Sequence, residues 1–189
     1  MVTALLLCDF INETVDKDGK LAGRGYPDFI EKHSTFSNLA KLTKKARDQN
    51  MLIIHVKVAF SESYVELLEK SPLFGLVKKF GAFKIDTWGT EFHKNIDVKK
   101  EDPIVIKHRV GAFYSTRLEA ILKSRNIDSI LLAGVATDLV VATTARDAHD
   151  RGYEVTIIAD CCAASNEEDH NNVLKLLKKI ATIKNVLDL

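Results

Sequence analysis

Short apolar runs alternate along this chain with segments whose apolar residues recur at the helical period, and this alternation constrains the fold most. Most of the runs are continuously apolar, which is typical of parallel strands covered on both faces. The alternation predicts an α/β fold: a three-layer α/β/α sandwich with a six-stranded, mostly parallel sheet and helices on both faces. The predicted strands are residues 3–9, 51–60, 104–107, 129–135, 154–160 and 181–183.

Length and charge narrow the class of protein. The chain has 189 residues, 46% of them hydrophobic, which predicts a single domain over residues 1–189. The chain has 27 Lys and Arg residues and 26 Asp and Glu residues, so its charges nearly balance. It therefore has no excess of positive charge with which to bind nucleic acid or an anionic membrane. The first apolar run meets Asp9 too early for a signal peptide or a membrane span. Three cysteines do not make a disulfide framework, so we expect a reduced, cytoplasmic protein.

Two charged residues stand at the ends of apolar strands. Asp9 ends the first predicted strand and Lys107 ends the third. The carboxyl ends of parallel strands form the usual site of an α/β sheet, and a carboxylate there is costly to desolvate unless it is paired. Lys107 is the candidate partner of Asp9. The alternative is that Asp9 caps the next turn and that Lys107 is solvated at its strand end.

Cofactor motifs are missing from the sequence. No GxGxxG follows the first strand, no GxxxxGK[ST] occurs, and Asp9 and Glu13 would repel a phosphate at the first turn. The six histidines are scattered and none has the spacing of a preformed metal site. We therefore predict no cofactor and no metal.

Several blocks of sequence resemble the isochorismatase-like hydrolase superfamily, in order and across nearly the whole chain. The resemblance implies a homo-oligomer, a dimer or tetramer, that acts on a small molecule. The blocks are LLLCDF at 5–10, WGTE at 88–91, VIKHRVGAF at 105–113, GVATDLVV at 134–141, TTARDA at 143–148 and ADCCAAS at 159–165.

Most members of this superfamily are amidases with an Asp–Lys–Cys triad, in which the thiolate attacks an amide carbon. The resemblance assigns Asp9 and Lys107 to the first two positions. It places an oxyanion site, formed by a helix N-terminus and a cis peptide, at residues Val135, Ala136 and Thr137. The nucleophile's position is occupied by Val140, which has no nucleophilic atom.

Three functions remain open for such a site. In the first, the protein is a cysteine-independent hydrolase of the isochorismatase type, in which Asp9 protonates a vinyl ether and Lys107 orients the substrate. In the second, it is a catalytically silent relative that keeps the pocket for binding or assembly. In the third, it is an amidase that has recruited Cys161 or Cys162. Burial would raise the pKa of Asp9 and contact with Lys107 would lower it, and the sequence leaves that balance open.

Residues 61–101 interrupt the alternation and form a long insertion, of the kind that serves a site or a subunit contact. Aromatic residues in and around it either cover a small planar substrate or bury the insertion or an interface. We predict that Phe60, Trp88 and Phe113 line the pocket.

Overall fold

All 189 residues are described by the computed structural model. Six strands form one sheet in the spatial order β3-β2-β1-β4-β5-β6, and every neighbouring pair is parallel. The predicted α/β fold is confirmed, including the short sixth strand. The strands are β1 Thr3–Cys8, β2 Leu52–Val58, β3 Ile104–Lys107, β4 Ser129–Gly134, β5 Glu154–Ile158 and β6 Thr182–Lys184.

Helices flank the sheet, and their buried faces follow the helical period. In α3, Leu39, Leu42 and Ala46 are buried and form one stripe that packs towards β2. The N-cap of α7 is Asn166, whose Oδ1 accepts a hydrogen bond from the amide of Asp169 at 2.9 Å. The helices are α1 Asn12–Val15, α2 Tyr26–Lys32, α3 Thr35–Asp48, α4 Val77–Phe80, α5 Leu118–Ser124, α6 Ala142–Asp150 and α7 Glu167–Leu177.

The insertion at residues 61–101 has a small core of its own. A main cluster of 44 buried apolar residues surrounds the sheet, and a second cluster of nine lies beside the carboxyl end of β2. In the second cluster, Tyr64, Phe74 and Phe83 from the insertion pack with Val58 and Phe60. The insertion therefore extends the sheet edge as a packed wall. None of the helices is both long enough and apolar enough to span a membrane.

Strand order fixes where a site can form. From β1 the chain moves outward through β2 to β3, then crosses to the other side of β1 and continues through β4 to β6. The direction of winding reverses between β1 and β4, and such a reversal opens a crevice at the carboxyl ends of the strands. The crevice lies where Asp9 follows β1 and where Val135 follows β4.

Candidate active site

Asp9 lies in the crevice with an unusual backbone conformation. Its φ is +60°, in the left-handed region that few residues other than glycine adopt, although Asp tolerates it better than most. β1 ends one residue earlier than predicted because Asp9 turns out of the strand at this point. Its own amide still donates to the Val56 carbonyl at 2.8 Å, and its Oδ1 accepts from the Val58 amide at 2.7 Å. The carboxyl group is thus held over the end of β2 and is only 5% exposed.

Lys107 completes a buried ion pair with Asp9. Its Nζ lies 2.8 Å from Oδ2 of Asp9 and donates to the Arg109 carbonyl at 3.0 Å, and the residue is 2% exposed. Burial raises the pKa of the Asp9 carboxyl above its ordinary value, while Lys107 and the Val58 amide oppose the rise. The Asp9 carboxyl accepts from the end of β2 rather than from the next turn, and Lys107 is paired and buried rather than solvated, so the alternative for this pair is wrong.

A π-helical turn over Thr137–Val141 follows β4 and carries the position that would hold a nucleophile. The only cis peptide bond in the chain joins Val135 to Ala136, within the region assigned to the oxyanion site. Val135, Ala136 and Val140 line the same cavity as Asp9 and Lys107. The position of the triad's third member thus presents an aliphatic side chain to the cavity that the pair also lines.

Thr137 does not fit the predicted oxyanion site. It is fully buried outside the cavity lining, its amide donates to the Ala163 carbonyl at 2.8 Å, and its Oγ1 lies 2.9 Å from His170 Nδ1. The amide of Val135 donates to the Cys8 carbonyl. Ala136 is the one of the three whose amide makes no backbone hydrogen bond, so it is the available donor at the cavity wall.

The pair and the turn lie at the end of a cavity of about 560 Å³, a volume typical of small-molecule sites. The predicted lining by Phe60, Trp88 and Phe113 is wrong. Phe60 is buried among Tyr64 and Phe74. Trp88 is about half exposed outside the lining, and Phe113 packs between Tyr153 and the Arg151 guanidinium.

Other residues of the insertion form the wall instead. Phe74, Leu76 and Phe80 line the cavity together with Phe83. The segment between α1 and α2, with the first residue of α2, contributes cationic and apolar residues that no sequence motif indicates: Lys20, Leu21, Arg24 and Tyr26. A run of apolar residues around Pro72 and Gly75 was the available sequence signal, but nothing in it says which side chains face a pocket.

The three cysteines lie outside the cavity lining and are all buried and unpaired. Burial raises the pKa of each thiol, and that of Cys162 to about 12. Thiols react as thiolates, so none of the three is suited to act as a nucleophile. No group of three His, Cys, Asp or Glu side chains is arranged to hold a metal ion.

Introducing a cysteine at position 140 tests the geometry of the turn. Val140 lines the cavity, so we expect Val140→Cys to gain one thiol that iodoacetamide alkylates in the native protein. The wild-type protein is expected to react at no thiol until it is unfolded, because its three cysteines are buried and, unlike Val140, lie outside the cavity lining. Intact-mass spectrometry over time measures both reactions.

Val141→Cys is the matched control for that experiment. Val141 lies on the same turn but is fully buried and does not line the cavity, so its thiol should stay unreactive. Equal reactivity at positions 140 and 141, or none at 140, would contradict the placement of Val140 beside the Asp9–Lys107 pair.

A parallel sheet wound in both directions, with a buried Asp–Lys pair at its crevice, defines an α/β protein with a hydrolase-type pocket. Residues 3–186 match the family model of the isochorismatase domain. The chain therefore belongs to the isochorismatase family of hydrolases.

Individual relatives agree with this assignment. An uncharacterized isochorismatase family protein of Escherichia coli O157:H7, YecD, is 30% identical over 190 residues, covering 97% of this chain and 92% of its own. The "Probable inactive nicotinamidase" of Arabidopsis thaliana is 27% identical, covering 92% and 87%. The crystal structure of an isochorismatase-like hydrolase from Alkaliphilus metalliredigens superposes with a TM-score of 0.84 at 25% identity, covering 100% and 97%.

Proposed function

We propose that this protein hydrolyses a vinyl ether without a cysteine nucleophile, with Asp9 as the general acid and Lys107 orienting the substrate. One observation carries the proposal: the buried Asp9–Lys107 pair faces the cavity while the nucleophile's position holds Val140. Burial raises the pKa of Asp9, which increases the protonated fraction of its carboxyl at a given pH, and the protonated form is the one that a general acid requires. The burial of all three thiols favours this chemistry over an amidase that has recruited Cys161 or Cys162.

The reaction begins with a proton transfer to carbon. The Asp9 carboxyl gives its proton to the terminal vinyl carbon, which becomes a methyl group and leaves an oxocarbenium ion. Water adds to that cation and returns a proton to the Asp9 carboxylate. In the resulting hemiketal, the bond between the former vinyl carbon and the ether oxygen breaks, which gives an alcohol and a ketone. Each carboxyl oxygen has two lone pairs, so Asp9 can carry a proton and still accept its present hydrogen bonds.

Lys107 and the Ala136 amide are the donors available to hold the substrate during this step. A carboxylate or carbonyl beside the vinyl group can accept from the Lys107 ammonium, which serves as a point charge. When the substrate takes that contact, Lys107 no longer stabilises ionised Asp9 as strongly. Substrate binding therefore promotes protonation of the acid that the reaction uses.

Hydrolysis in heavy water tests the proposal directly. Purified protein is incubated in D₂O with isochorismate and simpler 1-carboxyvinyl ethers, and the products are followed by proton NMR. We expect pyruvate to be released with one solvent deuterium in its methyl group, because the proton comes from exchangeable Asp9. If the wild-type protein leaves every vinyl ether unchanged, or releases pyruvate without deuterium, the proposed reaction is wrong.

The proposed role of Asp9 fixes the direction in which kcat changes with pH. A general acid must be protonated, so we expect kcat to be highest at low pH and to fall as pH rises through the pKa of Asp9. Because burial raises that pKa, the fall should lie above the range of an ordinary aspartate. Initial rates at constant ionic strength, with unfolding monitored by circular dichroism, give the profile. A rate that rises with pH through this range would identify Asp9 as a base instead.

A catalytically silent protein is the second candidate, and two observations favour it. Val140 removes the nucleophile of the amidase reaction, and the Arabidopsis relative is named as an inactive nicotinamidase. Such a protein would keep the pocket for binding. Turnover that survives repurification and is absent from an Asp9→Ala variant would exclude this candidate.

A further inference from the structure

The cavity has a buried ion pair at its floor and exposed apolar side chains at its mouth. Asp9 and Lys107 are nearly inaccessible to solvent at the floor. At the mouth, Leu76 and Phe80 line the cavity and yet are 59% and 60% exposed. Large apolar side chains that surround a pocket and remain open to water mark a surface that a ligand covers. Leu76 directly precedes α4 and Phe80 is its last residue, so a ligand seated on the floor would extend along that helix.

One cation in the cavity has no partner within the chain. Among the lining residues, Asp9 is the single acid and Lys20, Arg24 and Lys107 are the bases. Lys107 is paired with Asp9, and the Lys20 ammonium donates to the Gly81 carbonyl at 2.6 Å. The Arg24 guanidinium makes no hydrogen bond and no ion pair. Arginine remains charged at every working pH and binds carboxylates through two parallel hydrogen bonds.

Arg24 is also placed for access from solvent. It lies in the exposed turn Ala22–Arg24, just before α2, and Gly23 beside it lines the cavity as well. The mouth thus combines a free guanidinium with two exposed apolar side chains, Leu76 and Phe80. A hydroxylated, strongly hydrated ligand would gain little from those two contacts and would lose water at them.

We propose that the substrate has an apolar body, about the size of a fused ring system, and an anionic group at the solvent end that Arg24 binds. The apolar body covers Leu76 and Phe80, and the reacting group reaches Asp9 at the floor. This inference rests on the proposed function, since it names the substrate class of the same site. Ligand binding without turnover tests it separately.

Binding of unreactive probes by wild-type protein is measured by isothermal titration calorimetry. The probes are 2-naphthoate, which is apolar and anionic, its neutral isostere 2-naphthamide, and quinate, a hydroxylated carboxylate. We expect 2-naphthoate to bind about tenfold more tightly than 2-naphthamide, as charge-assisted hydrogen bonds allow, and more tightly still than quinate. Equal binding of the two naphthalenes, preference for quinate, or no binding at millimolar concentration overturns the proposal.

Two pairs of variants locate the contacts. Arg24→Gln should weaken the binding of 2-naphthoate about tenfold and leave the affinity for 2-naphthamide unchanged. Arg125→Gln should change neither affinity. Arg125 is likewise exposed and without a side-chain partner, but it lies outside the cavity lining. Phe80→Ser should weaken the binding of both naphthalene probes by a similar factor. Val65 is exposed but lies outside the lining, so Val65→Ser should weaken the binding of neither probe. Equal losses in a variant and its control contradict the assigned contact.

The two proposals fail in different ways. Selective binding of 2-naphthoate through Arg24, with no vinyl ether hydrolysed, would support the ligand class and refute the reaction. Hydrolysis that is indifferent to Arg24→Gln, with no preference among the probes, would support the reaction and refute the ligand class.

Discussion

Replacing Asp9 with Asn is expected to slow hydrolysis of a vinyl ether by about 10²–10⁴-fold, the usual contribution of a general acid. Asn keeps the shape of the side chain, and its oxygen can still accept from the Val58 amide or from Lys107. It has no proton that is acidic enough to transfer to carbon. Binding of 2-naphthoate should therefore persist while kcat falls, and single-turnover rates measured beside calorimetry separate the two effects.

Asp128→Asn is the matched control for this experiment. Asp128 is exposed, and its side chain makes no hydrogen bond or ion pair, so its loss should leave kcat unchanged. Full activity in Asp9→Asn would show that Asp9 is not the acid. Loss of both activity and probe binding would show that Asp9 holds the pocket together rather than transferring a proton.

Replacing Lys107 with Met is expected to lower the free energy of unfolding by about 3–5 kcal/mol at neutral pH. The variant leaves the Asp9 carboxyl buried without its cationic partner, and only the Val58 amide remains to satisfy it. The loss should shrink as pH falls, because a protonated Asp9 is neutral and costs less to bury. Urea unfolding followed by circular dichroism at several pH values measures both the loss and its pH dependence.

The double variant Asp9→Asn with Lys107→Met, together with the two single variants, gives a double-mutant cycle of unfolding free energies. Removing both charges should recover much of the stability that the Lys107 change alone loses, since no buried charge is left unpaired. Lys44→Met, which breaks the exposed ion pair with Asp48, should change stability little. Additive losses in the double variant would mean that the two residues are not coupled.

The sheet and the ion pair could be predicted from the sequence because each depends on a local pattern. Continuous apolar runs give the strands, and the carboxyl ends of parallel strands meet at one edge whatever the loops do. Asp9 and Lys107 stand at two of those ends, so their proximity follows from topology. β3, where Lys107 ends the strand, has the predicted bounds.

The walls of the pocket could not be predicted, because they depend on how the insertion folds back. Phe60, Trp88 and Phe113 are large aromatic residues like Phe74 and Phe80, and no pattern in the sequence within or around residues 61–101 separates the two sets. The packing of the folded insertion determines which of these side chains line the cavity. Phe60 packs in the second cluster, whereas Phe80 lies at the mouth of the cavity. The predicted oxyanion role of Thr137 also depended on packing that the sequence does not show. The Thr137 amide donates to the carbonyl of Ala163, which lies after β5.

The reversal of winding between β1 and β4 divides the residues of the pocket between the two halves of the sheet. One half of the sheet supplies the buried ion pair, Asp9 and Lys107. The other half supplies the turn with Val140, which lines the cavity and carries no charge. The polar contacts of the ion pair do not involve residue 140. The residue at position 140 can therefore be exchanged without removing a hydrogen bond or a charge from the Asp9–Lys107 pair.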